Sequence, residues 1–331
     1  LKYKVRFRIA DKAGNGSITA YLEFIYDLSN ATATISVPPA GSAISKLAIS
    51  SGTHKDFDPD IGDTDIGPSG TDKAEVSILA VSGSNANQYY DRAKGTFSNP
   101  NEPASWSTMT VHASSWTFAE VSQLAAAMQD GAYYSMRSRA WDKARNLQTI
   151  YSVPESSRGY VWDVSPPTIR PVKPLEGTKW RPSTITDIQG TANEEPSGDW
   201  KRNSGFRKVD DDADIELTYL NGPTTYYWTS TGWSSTTVSV VQRPVELSGS
   251  TTIWNLIPKP VDDTTEPYSK DSWQYAGDRE FRLRAKARDA ATDEAGSYNR
   301  NVSAFYGDAG ADDALGSGDV TVSTILGLLL G

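Results

Sequence analysis

Cysteine is absent from this 331-residue chain, and histidine occurs only twice, at His54 and His112. The first absence excludes disulfides and thiol chemistry, and the second leaves almost nothing from which to build a structural zinc site or a serine triad. Both histidines lie in Ser/Thr-rich stretches away from any nucleophile elbow, so no catalytic residue is assigned and the chain reads as a non-enzyme. A large Lys/Arg cluster is also missing. With a net charge of −9 and a pI near 4.9, the chain would repel phosphate backbones, which excludes nucleic acid as a partner. The apolar stretch Ile325-Leu-Gly-Leu-Leu-Leu330 falls well short of the roughly 20 residues that span a bilayer, so no membrane span is expected in this segment.

What is present favours β-structure. Ten Trp and 16 Tyr stand against three Met, among many Ser, Thr and Gly, and 37 % of residues are hydrophobic and 22 % charged. This is the balance of a folded chain rich in strands and turns. Cysteine-free, acidic, Ser/Thr-rich β-domains suit an extracellular or cell-surface setting, prokaryotic by this reading.

One motif recurs. Tyr134-Ser-Met-Arg-Ser-Arg-Ala-Trp-Asp-Lys-Ala-Arg-Asn146 is matched by Tyr3-Lys-Val-Arg-Phe-Arg-Ile-Ala-Asp-Lys-Ala-Gly-Asn15 and by Phe281-Arg-Leu-Arg-Ala-Lys-Ala-Arg-Asp289. Each alternates apolar or small residues with basic ones and ends on an aspartate, as a half-buried strand running into a turn does. The turn aspartates Asp11, Asp142 and Asp289 are 131 and 147 residues apart (142 − 11, 289 − 142), the length of a domain. Proline-rich junctions follow Tyr26-Asp27 and Trp162-Asp163, and each reaches a glycine 14 residues on, at Gly41 and Gly177. Such stretches are stiff and extended.

The chain therefore divides into residues 1–27, the end of one domain; 28–163 and 164–308, two complete domains; and 309–331, a linker with a strand-like tail. Strands are expected at 46–50, 74–81, 107–111 and the motif in the first complete domain. In the second they fall at 185–188 with 190–192, then 214–219, 226–228, 237–242, 251–256 and 281–287. A single short helix is predicted over 118–129, from Phe118, Val121, Leu124, Ala125 and Met128 at helical spacing. Two strands in 1–27 cannot form a stable sandwich alone, so their partners lie upstream or come from another molecule.

In order, Pro-Pro-Thr-Ile169, Gly-Thr-Ala192, Ser-Gly205, Tyr-Tyr-Trp228, Gly-Trp233 and the third motif copy resemble the Ig-like repeats of very large bacterial surface and secreted proteins. The resemblance implies an all-β fold of tandem immunoglobulin-like sandwiches acting as a stalk, adhesin or filament. Its partners would be further copies of itself or neighbouring repeats. Some repeats of this kind carry calcium at domain junctions.

Three sets of residues are candidates for more than packing. For Ca2+, the acidic loop Asp56, Asp58, Asp60, Asp63 and Asp65 offers hard oxygen ligands without EF-hand spacing, and its ordinary role is a solvated loop. Asp142 with Asp163, or Asp11 with Asp27, are junction candidates, each competing with local capping of its own turn. For assembly, Val320, Val322 and Ile325 mark a tail strand without an evident partner, open to strand exchange between subunits or to use in a following repeat. For surface glycans, Trp106, Trp180, Trp200 and Trp273 lie in polar surroundings and could stack on sugars, which makes a carbohydrate-binding or adhesive module the alternative function.

Overall fold

The computed structural model describes residues 2–56, 69–119, 121–174, 179–206, 213–236, 251–256, 260–261, 263, 267, 269–277, 279–293 and 320–324. It divides into two compact units: one holds the chain to Val161 apart from Ala43–Ser45, and the other holds Ala43–Ser45, Trp162–Thr292 and the strand Val320–Thr324. Both are β-sandwiches of immunoglobulin type. Helix among the described residues is limited to Val121–Ala127, Trp273–Ala276 and two 3-10 turns.

In the first sandwich one sheet runs, in spatial order, Thr96–Asn99, Gln88–Asp91, Thr71–Ala80, Tyr133–Asp142, Ser157–Trp162. The other runs Thr110–Val111, Ser115–Phe118, Ser50–Lys55, Thr32–Val37. The second sandwich repeats this plan. Lys179–Trp180, Val320–Thr324, Glu280–Ala287, Ala213–Asn221, Thr224–Trp228 and Trp233–Ser234 form its larger sheet, and Thr168–Lys173, Gln189–Asn193 and Thr251–Asn255 the smaller.

The recurring motif is the central strand of each larger sheet. In Tyr133–Asp142 every second residue is buried, which puts Tyr134, Met136, Ser138, Ala140 and Asp142 inward and Arg137, Arg139 and Trp141 outward. Phe281, Leu283, Ala285 and Ala287 face inward in the same way. The alternating basic residues are explained by the neighbouring strand. Arg139 lies opposite Glu75 and binds it at 2.7 Å, and Arg284 lies opposite Glu216, binding it at 2.6 Å.

A glycine–tryptophan pair pins each smaller sheet. Gly52 faces Trp116 across the ladder, and Gly190 faces Trp254. A Cβ on Gly52 would fall 1.8 Å from the Thr34 carbonyl oxygen and 2.7 Å from the Trp116 ring; on Gly190 it would fall 2.1 Å from the Arg170 carbonyl oxygen and 2.2 Å from Trp254. Only glycine leaves room for the indole. Both tryptophans are fully buried, and the partners are 64 residues apart in each case (116 − 52, 254 − 190).

Residues 2–25 form two paired ribbons, Lys2–Val5 with Leu22–Ile25 and Arg8–Ala10 with Gly16–Ile18. The turn between them is that of the first sandwich. Asp11 accepts from the Asn15 amide and side chain at 2.8 and 2.9 Å, and Asp142 from those of Asn146 at 2.6 and 2.7 Å. Inside the turn Gly14 and Arg145 share a left-handed φ of +88° and +72°.

Four expectations need correction. Val320–Thr324 has a partner in its own chain: it pairs antiparallel with Glu280–Leu283 and parallel with Lys179–Trp180. Val320 and Val322 thus belong to a closed ladder of the second sandwich, not to a free tail, and Ile325 lies outside the described residues. The long sequence gap after Ala287 hid the pairing. Phe118 ends a strand, and only Val121–Ala127 is helical. A second short helix, Trp273–Ala276, is capped by the Ser272 side chain, a serine cap too brief to show apolar periodicity. The expected strand 46–50 sits instead at Ser50–Lys55; of the expected opening pair in the second domain, 190–192 lies within the strand Gln189–Asn193 and 185–188 precedes it; 237–242 lies outside the described residues.

Candidate metal centres

Both sandwiches gather three acids from the same three places. The first comes from the residue that closes the preceding segment, Asp27 or Asp163. The second stands one position past the strand carrying the pinning glycine, at Asp56 after Ser50–Lys55 and Glu194 after Gln189–Asn193. The third ends the motif strand or follows it closely, at Asp142 and Asp289. In each trio one oxygen per residue lies within 4.8 Å of the others.

The geometry follows from strand periodicity. Asp56 is four residues beyond Gly52 and Glu194 four beyond Gly190, so the acid keeps the glycine's inward facing. Asp142 shares the inward parity of Tyr134 and Met136. A Ser-Gly loop completes each site. Ser69 donates its amide to Asp27 at 3.0 Å, and Ser204 donates to Asp163 at 2.6 Å. The next residues, Gly70 and Gly205, hold φ of +86° and +75°, and their carbonyls accept from Lys143 and Ala290, each directly after the motif aspartate.

Electrostatics set the two trios apart from an ordinary solvated charge run. Asp142, Asp163 and Asp289 are fully buried, and Glu194 and Asp56 are 3 % and 8 % exposed. In the first trio none of the three acids forms an ion pair with a described Lys or Arg. Asp56 accepts from the Gly70 amide at 2.7 Å and the Ser69 hydroxyl at 3.3 Å through Oδ2, while its buried Oδ1 has no hydrogen-bond partner. Burial, with Asp27 and Asp142 facing it, pushes the Asp56 carboxyl above its ordinary value. Asp27 goes the other way: burial works to raise it, and the amides of Ser69 and Ser29 outweigh that and hold it low.

The chemistry of the set suits a hard cation. All donors are carboxylate oxygens, with no imidazole or thiolate for zinc. Calcium–oxygen distances of 2.3–2.6 Å allow two ligands of one ion to stand about 4.6–5.2 Å apart, so a 4.8 Å spread is bridgeable by one Ca2+.

Of the acids singled out in sequence, Asp27, Asp56, Asp142 and Asp163 stand in these trios, with Asp142 grouped with Asp27 and not with Asp163. Asp58, Asp60, Asp63 and Asp65 lie outside the described residues. Asp11 caps its own turn. Glu194 and Asp289 complete the trios, and the spacing Gly-Thr-x-x-acid, shared by Gly52–Asp56 and Gly190–Glu194, is the signal that points to Glu194. Asp214, outside the trios, is buried and paired with Lys286 at 3.3 Å and with Arg288.

The four tryptophans differ in their surroundings. Trp273 is buried in the second core, and Trp180 packs against that core half-buried. Trp106 has Arg139 4.0 Å from its ring centroid and Tyr151 stacked at 6.0 Å. Trp200 is exposed, with Lys201 over its ring. His54 bonds the His112 carbonyl at 2.8 Å and Thr71 at 3.0 Å.

No family model and no curated protein matches this chain. Among solved structures, it is similar to a 1.5-MDa bacterial ice-binding adhesin at 12 % identity and a TM-score of 0.30, covering 97 % of this chain and 74 % of that one. It is also similar to the FN1–FN3 domains of chicken CNTN1, at 9 % identity and 0.26, covering 98 % and 75 %. A chimeric titin Z1Z2 matches at 10 % and 0.22, covering 89 % and 98 %. At these TM-scores the likeness carries neither fold nor function, which rest on the strands and side chains themselves.

Proposed function

We propose that this chain serves as an extracellular, non-enzymatic structural protein, in which tandem Ig-like sandwiches form a stalk or filament and each sandwich is locked by one Ca2+. The observation that carries this reading is the twice-built acid trio, with the Asp56 Oδ1 buried and unpartnered in the first. Asp27 precedes the strand Thr32–Val37, the first of its sandwich, whereas Asp56 and Asp142 stand at the ends of two inner strands. An ion shared by the three ties the leading segment to the body of its own sandwich. Tension along the chain then loads the core, where many ladder bonds act together, before it can peel the leading strand away. Asp163, Glu194 and Asp289 would do the same in the second sandwich.

The test is calorimetry with calcium or with chelator. At a free calcium concentration of 100 Kd, each sandwich should gain about 2.7 kcal/mol. Asp142→Asn should remove the gain from the first sandwich alone and Asp289→Asn from the second. Melting that is indifferent to calcium sinks the proposal.

A further inference from the structure

The outward face of the larger sheet differs between the two sandwiches. On the first it is filled, with Trp106 laid over Arg139 and Glu75 taken up by Lys73, Arg139 and the Trp141 indole. On the second it opens into a cleft of about 460 Å3 above Ala213–Asn221, Thr224–Trp228 and Glu280–Ala287. That volume lies within the range of small-ligand sites.

Register defines the cleft. Thr218 stands directly opposite Tyr227 on one side and Arg282 on the other, so the three form a row across the sheet. With strands spaced about 4.8 Å apart, the phenol and the guanidinium rise from backbones about 9–10 Å apart, with the buried Thr218 as floor. Of the other charges, Glu216 takes two bonds from Arg284, at 3.0 and 2.6 Å, and Arg279 donates to Asn221 at 2.9 Å, which leaves Glu280 at the edge of the cleft. Arg282 is exposed and makes no ion pair or hydrogen bond with a described residue. Among the described residues it is thus a cation without a charged partner, two strands across from Tyr227.

We propose that this cleft binds an acidic sugar, a hexuronate unit, with the Arg282 guanidinium on its carboxylate and the Tyr227 ring against its pyranose. A guanidinium pairs with a carboxylate through two parallel bonds, which fixes orientation as well as sign. The hydroxyls of Thr218 and Thr225 and the carboxylate of Glu280, which also line the cleft, supply partners for sugar hydroxyls. A free carboxylate without a ring would use Arg282 and leave these groups untouched, and a neutral sugar lacks the carboxylate that pairs with a guanidinium through two parallel bonds. A uronate engages both halves of the site.

The experiment is an NMR titration of the intact chain with digalacturonate, a neutral disaccharide and acetate. Digalacturonate should bind at least about tenfold more tightly than either comparator, and Arg282→Ala should weaken it by a similar factor. Arg282→Lys should restore part of the loss, and Trp200→Ala should change nothing. Arg282 is exposed, so its variants should keep the parent's melting temperature and report on binding rather than folding. Acetate binding as well as digalacturonate would reduce the site to an anion contact, and digalacturonate binding that survives Arg282→Ala would place the sugar elsewhere; either overturns the proposal, as does a failure to bind at millimolar sugar.

Discussion

The acid trio of the first sandwich is built as Asp27, Asp56 and Asp142, and that of the second as Asp163, Glu194 and Asp289. The middle acid differs in length, and the chain around it differs completely: Lys55-Asp56-Phe57 in one and Asn193-Glu194-Glu195 in the other. What persists is the frame. A pinning glycine four residues earlier, a Ser-Gly loop across from it and the inward end of the motif strand bring the carboxylates together in both. The comparison teaches that the site belongs to the sandwich and not to any local motif, so one methylene more or less in the middle acid is accommodated. The second trio is wholly buried, while Asp27 leaves the first partly open to water.

The hardest way to break this frame is through the pinning glycines. Gly52→Ala and Gly190→Ala each drive a methyl into a backbone carbonyl and an indole, and should cost about 3 kcal/mol or more. Gly52→Ala should lower the melting of the first sandwich and Gly190→Ala that of the second. Equal effects of either change on both transitions would show that the two repeats do not unfold separately.

A smaller change separates the acid's electrostatics from its role as ligand. The Asp56 pKa is raised on folding, so its contribution is fully present below the ordinary carboxylate value and is lost as pH rises through the raised one. In chelator, wild type should therefore lose ground to Asp56→Asn between acid and neutral pH. In calcium the order should reverse, because only the aspartate completes the trio. Melting curves of the two proteins that never cross would contradict this.

The smallest effect lies in the turn shared by the leading ribbon and the first sandwich. Gly14 adopts its left-handed conformation freely, whereas Arg145 pays for a side chain there. Arg145→Gly should relieve up to about 1 kcal/mol of backbone strain, partly offset by the freedom glycine has when unfolded. A lower melting temperature for the first sandwich would mean that the arginine side chain contributes more than its backbone costs.

Much of the fold was legible because alternation with period two survives in a half-buried strand: Tyr134 to Asp142 and Phe281 to Ala287 show it plainly. Strands that depend on distant neighbours were not. Ser50–Lys55 carries no apolar stripe, since its essential residue is a glycine whose purpose is visible only once Trp116 lies on it. Val320–Thr324 looked unpartnered because its ladder is reached across a gap of more than 30 residues from Ala287. The candidate site was half legible. The turn aspartates announced themselves by repetition, but which acids would meet depends on how the ends of three strands converge, and Asp142 finds Asp27 from 115 positions away (142 − 27).

The pairing of Gly52 with Trp116, and of Gly190 with Trp254, also constrains biosynthesis. Translation at about 5–20 residues per second puts roughly 3–13 s between the two halves of a pin that spans 64 residues. During that interval the glycine strand has emerged and the indole that must lie on it does not yet exist. The smaller sheet of each sandwich is thus unable to close while its strands are being made, and a nascent chain must keep that edge from pairing with another until the second half arrives.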